Sequence, residues 1–251
     1  MNWSVFYGIL IPFLGTSFGA ACVFFMKKEM EDRLQRMLTG FAAGVMVAAS
    51  IWSLLIPAME QVGDMGKLAF VPAVAGFWLG ILFLLLLDHI IPHLHRNSQS
   101  AEGPKSQLKR TTMLVLAVTL HNIPEGMAVG SSALYEVKTG MMMALLLALH
   151  NLPEGMGMIV PLRSGGVGKG RALLLVALSG LPTLIGGVAG VLLGSISPVF
   201  IGFTLALAAG CMLYVTYYEI LPQVTLMEKG RRPLVFQLAG FLLGFVLISI
   251  M

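Results

Sequence analysis

Eight apolar runs succeed one another along this chain, near 3–26, 34–58, 68–92, 111–134, 139–162, 170–195, 198–222 and 233–251. A helix needs about 20 apolar residues to cross a hydrocarbon core about 30 Å thick. A backbone in lipid has no water to bond, so it crosses only as a helix or as part of a closed barrel. Runs this long and continuous point to helices. The spacing predicts an all-α integral membrane protein of eight transmembrane helices, built as a single transmembrane domain over residues 1–251. Composition excludes a water-exposed alternative. Only 11% of the residues are charged and 57% are hydrophobic, whereas soluble domains carry about 25% charged residues. The lipid bilayer is therefore the first partner that the sequence demands.

The basic residues are sorted between alternate connections. Fourteen of the sixteen lie in odd-numbered ones: Lys27, Lys28, Arg33 and Arg36, then Arg96, Lys105, Lys109 and Arg110, then Arg163, Lys169 and Arg171, then Lys229, Arg231 and Arg232. Lys67 and Lys138 fall in even ones. The positive-inside rule places the odd connections in the cytoplasm and both termini on the extracytoplasmic side. The longest of them, about 93–110, is polar and reads as a flexible cytoplasmic loop. The first run has no positive residue before it, the reverse of a cleavable signal, so it is expected to stay as a span. The chain reads as a multi-pass protein of the cell's inner (plasma) membrane.

The same charges form no single basic surface, which argues against nucleic acid as a partner. Nucleotide is excluded too. The stretch Gly165-Gly166-Val167-Gly168-Lys169-Gly170 has Arg163 where a P-loop needs its first glycine and Gly170 where it needs Ser or Thr. Cys22 and Cys211 sit in apolar runs and read as small hydrophobes, and the 17 methionines read as packing residues.

Few ionisable residues enter the spans, and those that do are organised. Span four carries His121-Asn122-Ile123-Pro124-Glu125-Gly126, and span five carries His150-Asn151-Leu152-Pro153-Glu154-Gly155. Each histidine lies about 15 Å into its span, from opposite sides, so both motifs meet near the bilayer midplane. Within each copy His and Glu are four apart and share a helix face. Two such faces offer imidazoles, carboxylates and amide oxygens, a donor set suited to a borderline divalent metal. Pro124 and Pro153 remove a backbone donor where the site lies, and Gly126 with Gly130 forms a small-residue face for close helix approach. A buried His–Glu network that merely joins helices is the competing reading. Two carboxylates at midplane would cost such a network about 5–7 kcal/mol, and Ser or Thr would join helices more cheaply.

The doubled His-Asn-x-Pro-Glu-Gly motif resembles that of the ZIP family of zinc and iron transporters, its bacterial branch in particular. The resemblance spans essentially the whole chain. It implies import of a divalent transition-metal ion, zinc foremost, through a metal centre of His121, Asn122, Glu125, His150, Asn151 and Glu154. It also implies a homodimer, and an elevator-like motion of spans one, four, five and six against the others. The metal is cargo, so no resident cofactor is expected. Two departures from the family pattern stand out. Ser179-Gly180-Leu181-Pro182-Thr183 lacks the acid found there in bacterial relatives, and Asn151 stands where some have Asp. Both weaken the second half of a two-metal centre.

Spans three and seven end in Asp88-His89-Ile90-Ile91-Pro92-His93-Leu94-His95 and Tyr217-Tyr218-Glu219-Ile220-Leu221-Pro222. Asp88, His93, His95 and Glu219 resemble family positions that receive metal at a cytoplasmic exit. Ordinary polar residues at helix ends are the alternative. An intramembrane metal-dependent hydrolase is a second function to weigh, but the His-Glu-x-x-His of zinc proteases is absent. A passive metal channel is a third. Imidazoles disfavour magnesium and calcium, which prefer all-oxygen cages, and the lack of thiolates keeps affinity at a level that permits release.

Overall fold

A computed structural model of the chain describes residues 3–25, 31–94, 103–105, 109–225 and 232–250. Among these residues seven helices are long and apolar enough to cross a membrane. They are α1 (Val5–Phe24), α2 (Arg33–Glu60), α3 (Phe70–Ile90), α4 (Thr111–Tyr135), α5 (Val137–Ser164), α6 (Lys169–Gly194) and α7 (Pro198–Ile220). The eighth apolar run forms a shorter helix, α8 (Leu234–Ser249), about 24 Å long at 1.5 Å per residue. The described residues contain no β-strand. His95, and Lys27, Lys28, Arg96, Lys229 and Arg231 of the basic connections, lie outside the described residues.

Glycines sort the helices into two groups. Gly15 and Gly19 of α1 face the backbone of Ala148 and Leu152 on α5 so closely that neither could carry a Cβ. Gly126 and Gly130 of α4 meet Thr183 and Gly187 on α6 in the same way. In the second group Gly44 of α2 and Gly240 of α8 each press on the other helix, as do Gly80 and Gly210 between α3 and α7. The small-residue face expected of α4 thus has α6 as its partner. Without a hydrophobic driving force between helices in lipid, such backbone approach supplies the packing energy. Among the described residues no glycine brings the backbone of α1, α4, α5 or α6 against that of α2, α3, α7 or α8. The two groups meet through side chains instead, mainly α2 against α5 and α4 against α7.

Two helices of the second group carry a π turn, over Ala49–Leu55 in α2 and Val215–Ile220 in α7. In both, a proline follows two residues later, Pro57 and Pro222. A proline ring crowds the carbonyl four residues before it and offers that carbonyl no N–H. The ladder slips by one residue just ahead of it: Ile56 N–H reaches the Ile51 carbonyl, and Leu221 N–H that of Thr216. Helix α7 then runs on through Leu221–Thr225. The sequence reading ended span seven at Pro222. The π turn lets the helix continue past it, so Glu219 lies within a helix rather than at its end.

Candidate metal centre

Both motifs fall in the middle of α4 and α5, where the two helix groups face each other. Each histidine–glutamate pair lies on one face of its helix, as four-residue spacing requires. The two copies nevertheless meet different neighbours.

Glu125, His150 and Glu154 come together, each offering a ligand atom within 4.8 Å of the others. His150 is held by the backbone of the other group, its Nδ1 lying 3.3 Å from the Ala42 carbonyl oxygen. A carbonyl only accepts, so Nδ1 is the donor and the neutral ring keeps the Nε2 lone pair for the cluster. That Nε2 lies 3.4 Å from Glu125 Oε1. The other oxygen of Glu125 accepts from Asn151 Nδ2 at 2.9 Å, and the same amide also reaches the Pro12 carbonyl at 3.3 Å. Glu125 is only 1% exposed, yet its Oε1 has no hydrogen-bond partner, and neither does Glu154 Oε2. Buried carboxylate oxygens left this way carry a desolvation cost of several kcal/mol unless a cation meets them. Imidazole nitrogen with carboxylate oxygens is a zinc-type donor set.

His121 is not one of these three, although it shares a cavity wall with His150 and Glu154. Its Nε2 lies 2.7 Å from Glu219 Oε2, across the boundary between the groups. Glu219, expected at a cytoplasmic exit, is therefore placed beside the midplane motif and adds a third carboxylate to its surroundings. Asn122 turns toward α6 and donates to the Ser179 carbonyl at 2.8 Å. That carbonyl is available because α6 breaks at Gly180: Thr183 N–H bonds the Gly180 carbonyl and not the one four residues back. The oxygens Asn122 Oδ1, Asn151 Oδ1 and Thr183 Oγ1 are buried without partners, but none of them carries charge.

Of the remaining exit candidates, Asp88 and His93 pair at 3.4 Å. Tyr214 donates to the other Asp88 oxygen at 2.6 Å, and His93 Nδ1 bonds the Ile91 carbonyl at 2.8 Å. The sequence reading did not single out Tyr214, whose aromatic character fits an interfacial belt equally well.

A cavity of about 110 Å³ leads away from the centre, with His121, His150, Glu154 and Glu219 in its wall. Its other walls come from the early turns of α2 and α4 and the late turns of α5 and α7. It therefore extends toward the end of the bundle where the basic connections lie. About one to two turns from the centre in the opposite direction along α2, α5 and α7, Met46, Leu147 and Met212 are buried to 1% exposure.

A family model for the ZIP zinc transporter matches residues 93–251. The chain is 34% identical over 242 residues to the zinc transporter GufA of Myxococcus xanthus, covering 95% of each protein. It is 34% identical to the zinc transporter ZIPB of Bordetella bronchiseptica, covering 92% of this chain and 76% of that one. The zinc transporter ZIP11 of Homo sapiens is 31% identical, with 95% of each covered.

Proposed function

Because the chain belongs to the ZIP zinc transporter family, we propose that it carries divalent transition-metal ions, zinc foremost, across the membrane into the cytoplasm. One observation carries the reading. Glu125, His150 and Glu154 converge on one point where two helix groups meet, and buried carboxylate oxygens there have no hydrogen-bond partner. The direction of the cavity supports release at the basic end, which the positive-inside rule makes cytoplasmic. Glycine packing within each group and its absence between them supports a sliding boundary, with α1, α4, α5 and α6 moving against the rest. The transporter is proposed to cross the membrane eight times, with α8 as the last span, and to act as a homodimer.

The centre holds one ion in this reading. Its second half offers the neutral oxygens of Asn122, Asn151 and Thr183, and the one further carboxylate beside it, Glu219, is already engaged by His121. Two dications about 4 Å apart repel four times as strongly as two single charges, and neutral amides do not offset that.

The decisive experiment is zinc uptake by liposomes holding the purified protein and a zinc-sensitive dye. Uptake is expected to saturate with external zinc. His121→Ala, Glu125→Ala, His150→Ala and Glu154→Ala are each expected to lose most of it while still reaching the membrane. Wild-type flux in any two of these would count decisively against the site. Cadmium-soaked crystals should show one fully occupied anomalous peak at the centre; two such peaks would refute the single-ion reading. External thiol labelling should reach a cysteine placed at position 138 and not one at 105. The opposite pattern would invert the topology.

A further inference from the structure

Beyond His121, His150, Glu154 and Glu219, the described cavity wall carries two polar side chains, Gln35 and Thr39, both on α2. Gln35 is 5% exposed. Its Nε2 lies 3.5 Å from the Gly157 carbonyl of α5. A carbonyl accepts only, so the amide nitrogen faces α5, and Oε1 is left buried without a partner. An unpaired amide oxygen inside a mostly apolar wall carries a desolvation penalty that the fold does not recover.

Its position along the path is fixed by the register of two helices. Gln35 meets Gly157, and seven residues further along α2 Ala42 meets His150, seven residues back along α5. The helices are thus antiparallel, with Gln35 about 10 Å from the level of His150, toward the basic end. Glu154 lies between, about one turn inward of Gln35, and Thr39 lies at a similar depth on the facing helix.

We propose that Gln35 is a way-station for the departing ion: its Oε1, seconded by Thr39, takes a place in the ion's coordination after Glu154 lets go. This rests on the transport reading. A dication leaving three carboxylates otherwise enters a wall of Leu94, Leu114, Val118 and Met158, with water alone to replace its ligands. A neutral oxygen suits the task better than a carboxylate. Conduction needs sites that are favourable enough to enter and weak enough to leave.

The test uses the full chain in the liposome zinc-uptake assay, with Gln35→Leu and Gln35→Glu. Gln35→Leu removes the oxygen and should lower the maximal rate about three- to tenfold, the kinetic equivalent of one modest hydrogen-bond-scale contact. Its KM should stay within about twofold of wild type, since the entry side of the centre is untouched. Gln35→Glu keeps an oxygen but loses the donor to Gly157. It should transport faster than Gln35→Leu and, soaked with cadmium, show an extra anomalous peak beside residue 35. If Gln35 only tethers α2 to α5, the two variants fall equally and no peak appears. That result, or a wild-type rate in Gln35→Leu, overturns the proposal. Loss of zinc flux in the wild-type protein itself would instead overturn the transport reading.

Discussion

The two copies of the His-Asn-x-Pro-Glu-Gly motif differ by one methyl position in sequence and by their whole surroundings in structure. In α5, His150 and Glu154 both enter the cluster with Glu125. In α4 the copy divides: Glu125 joins the cluster, while His121 reaches across to Glu219. The asparagines diverge as well, Asn151 bonding Glu125 and Asn122 bonding the broken backbone of α6. Identical spacing sets which residues share a face. The helix opposite that face decides what they do. In the proposed reading the α5 copy supplies two of the three ligands of the ion's cage, and the α4 copy supplies the third while pairing with the other helix group through His121.

This contrast is broken most directly by comparing histidines. His150→Ala removes a cage ligand, and zinc affinity measured by calorimetry in detergent should fall by more than about 100-fold, beyond the loss typical of outer-sphere partners. His121→Ala should reduce equilibrium affinity by only about 10-fold, in the range of such partners, even though uptake collapses because the tie between groups is gone. Equal affinity losses in the two variants would mean that both copies serve the cage alike.

The tie itself can be measured as a coupling. In a cycle of His121→Gln, Glu219→Gln and the double variant, transport losses should be non-additive by about 0.5–3 kcal/mol, as for residues in direct contact. The same cycle between His150 and Glu219 should be closer to additive. Coupling as strong in the second pair would show that Glu219 belongs to the cage.

How much of this was legible beforehand depends on what kind of regularity each feature has. Seven of the eight expected spans were legible because length and apolarity are one-dimensional: 111–134 was expected where α4 covers Thr111–Tyr135, whereas the last run gives the shorter helix Leu234–Ser249. The motif's depth follows from helical rise alone. Its split was not legible, since 3.6-residue periodicity fixes the face a residue shares but not the neighbour that face meets. Glu219 was set at a helix end because the seventh apolar run closes at 222, and a π turn that carries the helix past a proline leaves no mark on composition. Nothing in the sequence marks Gln35, which stands between Arg33 and Arg36 at the start of the second apolar run. Only the packing of α2 on α5 buries it.

The smallest expected difference lies between the asparagines. Asn122→Ala leaves the Ser179 carbonyl, already freed by the break in α6, without its donor. That is a loss of one buried hydrogen bond, about 1 kcal/mol of stability, at a distance from the ion that should leave zinc affinity within about twofold. Asn151→Ala removes a similar bond, but its acceptor is Glu125 Oε2. The carboxylate then loses the one amide that orients it, so zinc affinity should fall about three- to tenfold, the equivalent of about 1 kcal/mol carried into binding rather than into folding. Thermal unfolding in zinc-free detergent and zinc titration separate the two quantities. The comparison between the motifs predicts a crossover, with Asn122→Ala altering the first and Asn151→Ala the second. Parallel changes in both measurements for both variants would show that the two asparagines, unlike the two histidines, serve the two helices in the same way.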